Sequence, residues 1–167
     1  MKAVRSLEIG LQWLRLKNAD ELTEEDIKHG LIKATDERLF LVAEALRRGF
    51  KVERIAELSN IDPWFIHKIA NIVEMEMELR DRASELRALT SGRVATEPGA
   101  VDLLRRAKLM RFPDKVIAQI TGALENQLRY IQRKLGIVPT YKMVDTCAAE
   151  FEAATPYFYS TYEEENE

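Results

Sequence analysis

Apolar residues recur along most of this chain at the three- and four-residue spacing of amphipathic helices, and strand-like alternation is rare. Thr23 to Asp26 reads as a helix start with acids in its first turn, and Gly30 as its stop. Thr35 or Asp36 opens a second helix, with Leu39, Phe40, Val42, Ala43 and Leu46 at helical spacing before Gly49 ends it. A short helix over 51–59 follows, and Asp62-Pro63 restarts the chain as N-cap plus first-turn proline. The pattern predicts one long helix from Pro63 to about Ala88, with Phe65, Ile66, Ile69, Ile72 and Val73 facing inward and a solvated, charge-laced half over 74–87. Thr90-Ser91-Gly92 and Glu97-Pro98-Gly99 are breakers, so 89–99 is expected to be the least ordered part of the helical region, with helices resuming near Val101.

Two windows offset by 62 residues resemble each other, Phe50 to Ile69 and Phe112 to Ile131. Phe50, Ile55, Ala56 and Ile69 are matched identically by Phe112, Ile117, Ala118 and Ile131, while Leu58, Ser59 and Ile66 meet Ile120, Thr121 and Leu128. Each window is a short helix, a tight turn and a second helix, which predicts an all-α bundle built from two helix-turn-helix-like pairs.

After Gly136 the helical stripe ends. Ile137 to Val144 contains Pro139 and β-branched residues and reads as extended. Residues 140–167 hold seven acids against one base, Lys142, together with six of the thirteen aromatics. An acidic disordered tail is normally poor in aromatics, so this extended C-terminal arm requires a surface. Either it wraps back over the bundle or it lies against a surface outside these 167 residues.

Composition narrows the chemistry. The chain has room for one ordinary domain, and 25 basic residues nearly balance 28 acidic ones. No global field attracts polyanions or anionic membranes. No apolar run reaches the roughly 18 residues of a spanning helix, and a single cysteine excludes an internal disulfide; both suit a cytoplasmic protein. The seven glycines form no phosphate-cradling loop. His29 and His67 have no partner at metal-ligand spacing, and Cys147, flanked by alanines, reads as a small buried thiol rather than a nucleophile. Met75 and Met77 read as packing residues, Trp13 and Trp64 as core or interface anchors. A DNA-binding module is the alternative, with Gln127, Arg129, Gln132, Arg133 and Lys134 of the second pair facing a groove. The first 139 residues nevertheless carry only 24 bases against 21 acids, short of a strongly basic face.

The run Val138-Pro139-Thr140-Tyr141-Lys142-Met143-Val144-Asp145-Thr146-Cys147-Ala148-Ala149-Glu150-Phe151, followed by Thr155-Pro156-Tyr157-Phe158-Tyr159-Ser160-Thr161-Tyr162-Glu163, resembles the carbamoyl-phosphate synthase large subunit where its central helical region joins the second synthetase half. Arg5-Ser6-Leu7-Glu8 resembles the family's exit from the first synthetase half, and Ser59-Asn60-Ile61-Asp62-Pro63-Trp64-Phe65 a run in its helical region. The resemblance implies an excised, non-catalytic oligomerisation or connection domain of a ligase. It divides the chain into 1–16 leaving the first half, 17–136 as the helical domain, and 137–167 as an acidic, aromatic arm toward the second half. It implies no catalytic, cofactor or metal residues here. ATP, Mg or Mn, and K are expected in the flanking synthetase halves of the parent, and glutamine hydrolysis in a separate glutaminase small subunit, in arginine or pyrimidine biosynthesis. Expected partners are those flanking halves and further copies in a homo-oligomer, with no nucleic acid and no membrane. The arm's candidate interdomain contacts are Tyr141, Asp145, Phe151, Tyr157, Tyr159 and Tyr162.

Overall fold

The computed structural model describes residues 10–92, 98–144 and 157–162. Within them the chain forms α1 (Glu24–Ile32), α2 (Arg38–Arg47), α3 (Val52–Ser59), α4 (Pro63–Asp81), α5 (Ala83–Ser91), α6 (Pro98–Leu109), α7 (Asp114–Thr121), α8 (Glu125–Lys134), and strands β1 (Thr140–Val144) and β2 (Tyr157–Thr161). It is a mostly helical bundle, as the periodicity predicts.

Local signals set most helix ends. Thr23 and Asp26 form a reciprocal capping box at α1, satisfying two otherwise orphaned N–H groups. Asp62 accepts from the Trp64 N–H at 2.8 Å ahead of Pro63. The second helix begins at Arg38, later than Thr35 or Asp36, and has no side-chain cap. Gly30 does not stop α1. The helix runs on to Ile32, and a Cβ at position 30 would overlap the side chain of Leu41 on α2, so this glycine permits close helix approach.

The repeat is real in three dimensions and larger than the sequence windows. α3 and α7 begin and end at positions 62 apart; each closes on a left-handed residue, Asn60 (φ 53°) and Gly122 (φ 71°), and the next helix starts at Pro63 or Glu125. The preceding turns also match: the Phe50 N–H donates to the Ala45 carbonyl and the Phe112 N–H to the Ala107 carbonyl, both at 3.0 Å. The carbonyl ending each short helix also accepts from an arginine, Arg38 donating to Ser59 and Arg87 to Thr121, although the two arginines stand at positions the repeat does not relate. Each unit closes its own core. The first is built on Phe40, Val42, Ile55 and Ile66, the second on Leu86, Leu104, Phe112 and Ile117, and Ile72 touches both.

Further features depart from the sequence reading. The long helix breaks at Arg82 (φ −100°, ψ 21°), so α4 ends at Asp81 and α5 turns back onto the second core. No proline or glycine marks the break. Arg82 instead sits in a cluster in which it donates to Glu85 and Glu78, and Arg106 reaches Glu78 at 2.7 Å from α6. Phe65 points outward, not inward, because the buried stripe of α4 is fixed by Ile66, Ile69 and Val73, and residue 65 falls about 70° from the centre of that stripe, at its edge. The arm is a ladder: β1 and β2 pair antiparallel in the register Thr140↔Thr161 to Val144↔Tyr157. Helix α6 starts at Pro98, three residues before Val101.

Candidate interaction surfaces

Because the bundle buries its helical stripes within two cores, surplus apolar surface marks where something else belongs. One such place is the start of α4. Trp64 and Phe65 are 59% and 58% exposed, stack edge to face with ring centroids 4.9 Å apart, and carry the Lys68 ammonium over the Trp64 ring. The internal repeat supplies a control. At the equivalent positions of the second copy stand Asn126 and Gln127, and α8 forms without aromatics there. The helix-turn-helix unit therefore folds without this pair.

The second place is the β1–β2 ribbon. Side chains alternate between its faces, which puts Tyr141, Met143 and Phe158 on one side and Val144, Tyr157 and Tyr159 on the other; all six are exposed. The ribbon is joined to the bundle at one end. Arg111 donates from Nη1 to the Ser160 carbonyl at 2.7 Å and from Nη2 to Thr161 Oγ1 at 2.8 Å. Tyr162 packs against the second core, its ring 5.1 Å from Lys108 Nζ. Of the arm residues singled out from the sequence, Tyr141, Tyr157 and Tyr159 lie on the exposed ribbon and Tyr162 at its root, while Asp145 and Phe151, like Cys147, lie outside the described residues.

Electrostatic contacts fasten the turns between helices. Lys108 Nζ donates to Asp114 Oδ1 at 2.6 Å and to the Phe112 carbonyl at 3.1 Å, and Gln132 Nε2 donates to the same Asp114 oxygen at 2.9 Å. Burial opposes ionisation of Asp114, but the Lys108 and Gln132 hydrogen bonds outweigh it and hold the carboxyl below its ordinary range. Arg47 of α2 reaches Glu76 of α4 at 2.7 Å and the Leu14 carbonyl of the N-terminal segment at 2.6 Å. At the seam between the two cores, a cleft of about 550 Å³ is lined by Arg15, Lys17, Arg80 and Lys115 around Trp13; Arg15 is paired with Asp20 and Arg80 with Glu76.

These placements bear on the groove-facing alternative. Gln132 is buried and spent on Asp114, so one of the five residues proposed to face DNA serves the bundle instead, while Arg129 is exposed and pairs with Glu125 on its own helix. His29 and His67 are exposed, and among the described residues no three His, Cys, Asp or Glu side chains cluster as metal ligands. Met75 is buried and Met77 exposed; Trp13 is half-buried against the second core. No helix among the described residues is long and apolar enough to cross a membrane.

The family model for the oligomerisation domain of the carbamoyl-phosphate synthetase large chain matches residues 1–136. The chain is 48% identical over 167 residues to the carbamoyl phosphate synthase large chain of Methanothrix thermoacetophila, and 46% identical to those of Thermoanaerobacter pseudethanolicus and Agathobacter rectalis. Each match covers all of this chain and 14% of the relative's length.

Proposed function

The chain belongs to the family of oligomerisation domains of carbamoyl-phosphate synthetase large chains, and from that premise we propose that it acts without catalysis of its own, as a connector and self-association element. In the parent ligase it links two ATP-grasp synthetase units and sets their relation in space. That parent makes carbamoyl phosphate from bicarbonate, glutamine-derived ammonia and ATP in the cytoplasm, for arginine or pyrimidine synthesis. The flanking units hold ATP, Mg or Mn, and K, and a small subunit supplies the glutaminase.

The observation that carries this reading is the exposed Trp64–Phe65 pair at positions where the duplicated unit has Asn126 and Gln127. Aromatic residues that the fold does not require, left in solvent, are the usual composition of an interface centre. We assign self-association to that pair. The arm meets the flanking synthetase unit through Tyr141, Asp145, Phe151, Tyr157, Tyr159 and Tyr162, the ribbon tyrosines offering large apolar area on both faces. The two-core bundle suits a spacer, since each half closes its own core and Ile72 joins them.

Light scattering across a wide concentration range tests the autonomous part of this proposal. The expected result is a concentration-dependent rise toward a dimer or larger, abolished in Trp64→Ser/Phe65→Ser. A monomeric mass at every concentration overturns self-association by the domain alone.

A further inference from the structure

Arg111 occupies a backbone position that does not suit it. Its φ is +66°, in the left-handed region where a Cβ is crowded. Sixty-two residues earlier, at the same place in the first copy of the repeat, the chain carries Gly49 at φ +82°, the residue type this conformation favours. Both residues end the same helix and precede the same phenylalanine, so the turn itself asks only for glycine. The second copy accepts strain at 111, and the strain brings a guanidinium to that point.

The guanidinium has a clear occupation. Its two terminal nitrogens hold the Ser160 carbonyl and the Thr161 hydroxyl, at 2.7 and 2.8 Å. Thr161 is buried, and it pairs with Thr140 at the end of the ladder nearest the bundle. From there the strands project about 17 Å, at roughly 3.3 Å per residue, into side chains that are mostly exposed. Lys108, one turn before Arg111, lies over the Tyr162 ring while bonding to Asp114 and the Phe112 carbonyl.

We propose that Arg111 is a positioning residue, a latch that fixes the direction in which the ribbon leaves the bundle, and that it replaces the glycine of the first repeat copy for this purpose. Lys108 supports it by gripping Tyr162. A planar fork with fixed donor geometry is suited to holding a carbonyl and a hydroxyl on adjacent residues at once. The consequence for a following domain rests on the connector reading; the latch itself is a property of this chain and is tested in it.

The experiment is backbone ¹⁵N relaxation of the full 167-residue chain, wild type against Arg111→Gly and Thr161→Val, with thermal unfolding followed by circular dichroism. In the wild type the β2 amides share the order of the helices, with S² near 0.85. In Arg111→Gly the backbone strain is relieved and the fork is lost together. The midpoint should stay level or rise by about 2–4 °C, while S² over 157–161 falls below about 0.6. Thr161→Val leaves residue 111 untouched, removes one acceptor, and should loosen the ribbon by an intermediate amount at an unchanged midpoint. Ordered β2 amides in both variants overturn the latch. So does a drop of several degrees in Arg111→Gly, which would place Arg111 in the stability of the helical body. Neither outcome touches self-association, which light scattering decides separately.

Discussion

Arg47→Ala breaks a buried ion pair between α2 and α4. Glu76 is 3% exposed, and its carboxylate accepts from Arg47 Nε at 3.2 Å to each oxygen and from Arg47 Nη2 at 2.7 Å. Its other donor is Arg80 Nη2 at 3.1 Å, on a side chain half in solvent. Arg47 also supplies the Leu14 carbonyl at 2.6 Å and pairs with Glu44 at 3.2 Å, so one guanidinium ties α2, α4 and the N-terminal segment together. Removing one partner of a buried pair costs about 3–5 kcal/mol, chiefly because the other charge stays buried. The surviving Arg80 contact favours the lower end, about 3 kcal/mol. Against a total stability of roughly 5–15 kcal/mol this is large. With an m-value of about 2 kcal/mol/M, the urea midpoint should fall by about 1.5 M, read by circular dichroism. Arg47→Leu/Glu76→Leu removes both charges and should recover part of the loss, since well-packed apolar replacements of buried pairs are often neutral or stabilising, while the Leu14 carbonyl and Glu44 still lose Arg47. A loss under about 1 kcal/mol for Arg47→Ala, or a double variant as unstable as the two single losses added, would refute the argument.

Asp114→Asn should cost about 2–4 kcal/mol at neutral pH by stranding the Lys108 ammonium, which is nearly buried. Because the folded Asp114 carboxyl lies below its unfolded value near 3.9, its contribution is present above about pH 4 and is lost as pH falls through the lower folded value; acid titration of stability should therefore be shallower below about pH 4 in the variant. Gly30→Ala should lower stability by about 1–2 kcal/mol despite alanine's better helix propensity, because its Cβ overlaps Leu41; a stabilised variant in a thermal melt sinks that reading. Trp64→Ser/Phe65→Ser should change stability by no more than about 0.5 kcal/mol, as expected of exposed positions, and a loss of several kcal/mol in urea unfolding would show that the aromatics support the fold.

What the sequence determined alone is what local chemistry controls. The helix start at Thr23, the Asp62-Pro63 restart, and the left-handed end at Gly49 are decided by a few adjacent residues, and the structure has them where the pattern puts them. The duplication was legible as well, because each copy must fill a core of the same design and so keeps Phe50 and Phe112, Ile55 and Ile117 in register. Other features depended on partners distant in the chain. The break at Arg82 falls among strong helix formers, where Glu78 and Glu85 pair with it and Arg106 of α6 joins through Glu78. Gly30 served close approach to α2 rather than termination, which became visible only with Leu41 against it. The arm read as extended, yet the pairing of Thr140 with Thr161 and the Arg111 bonds to Ser160 and Thr161 join segments that no local pattern connects. The exposure of Trp64 and Phe65 likewise followed from which face of α4 the first core took up, a choice made by packing and not by hydrophobicity alone.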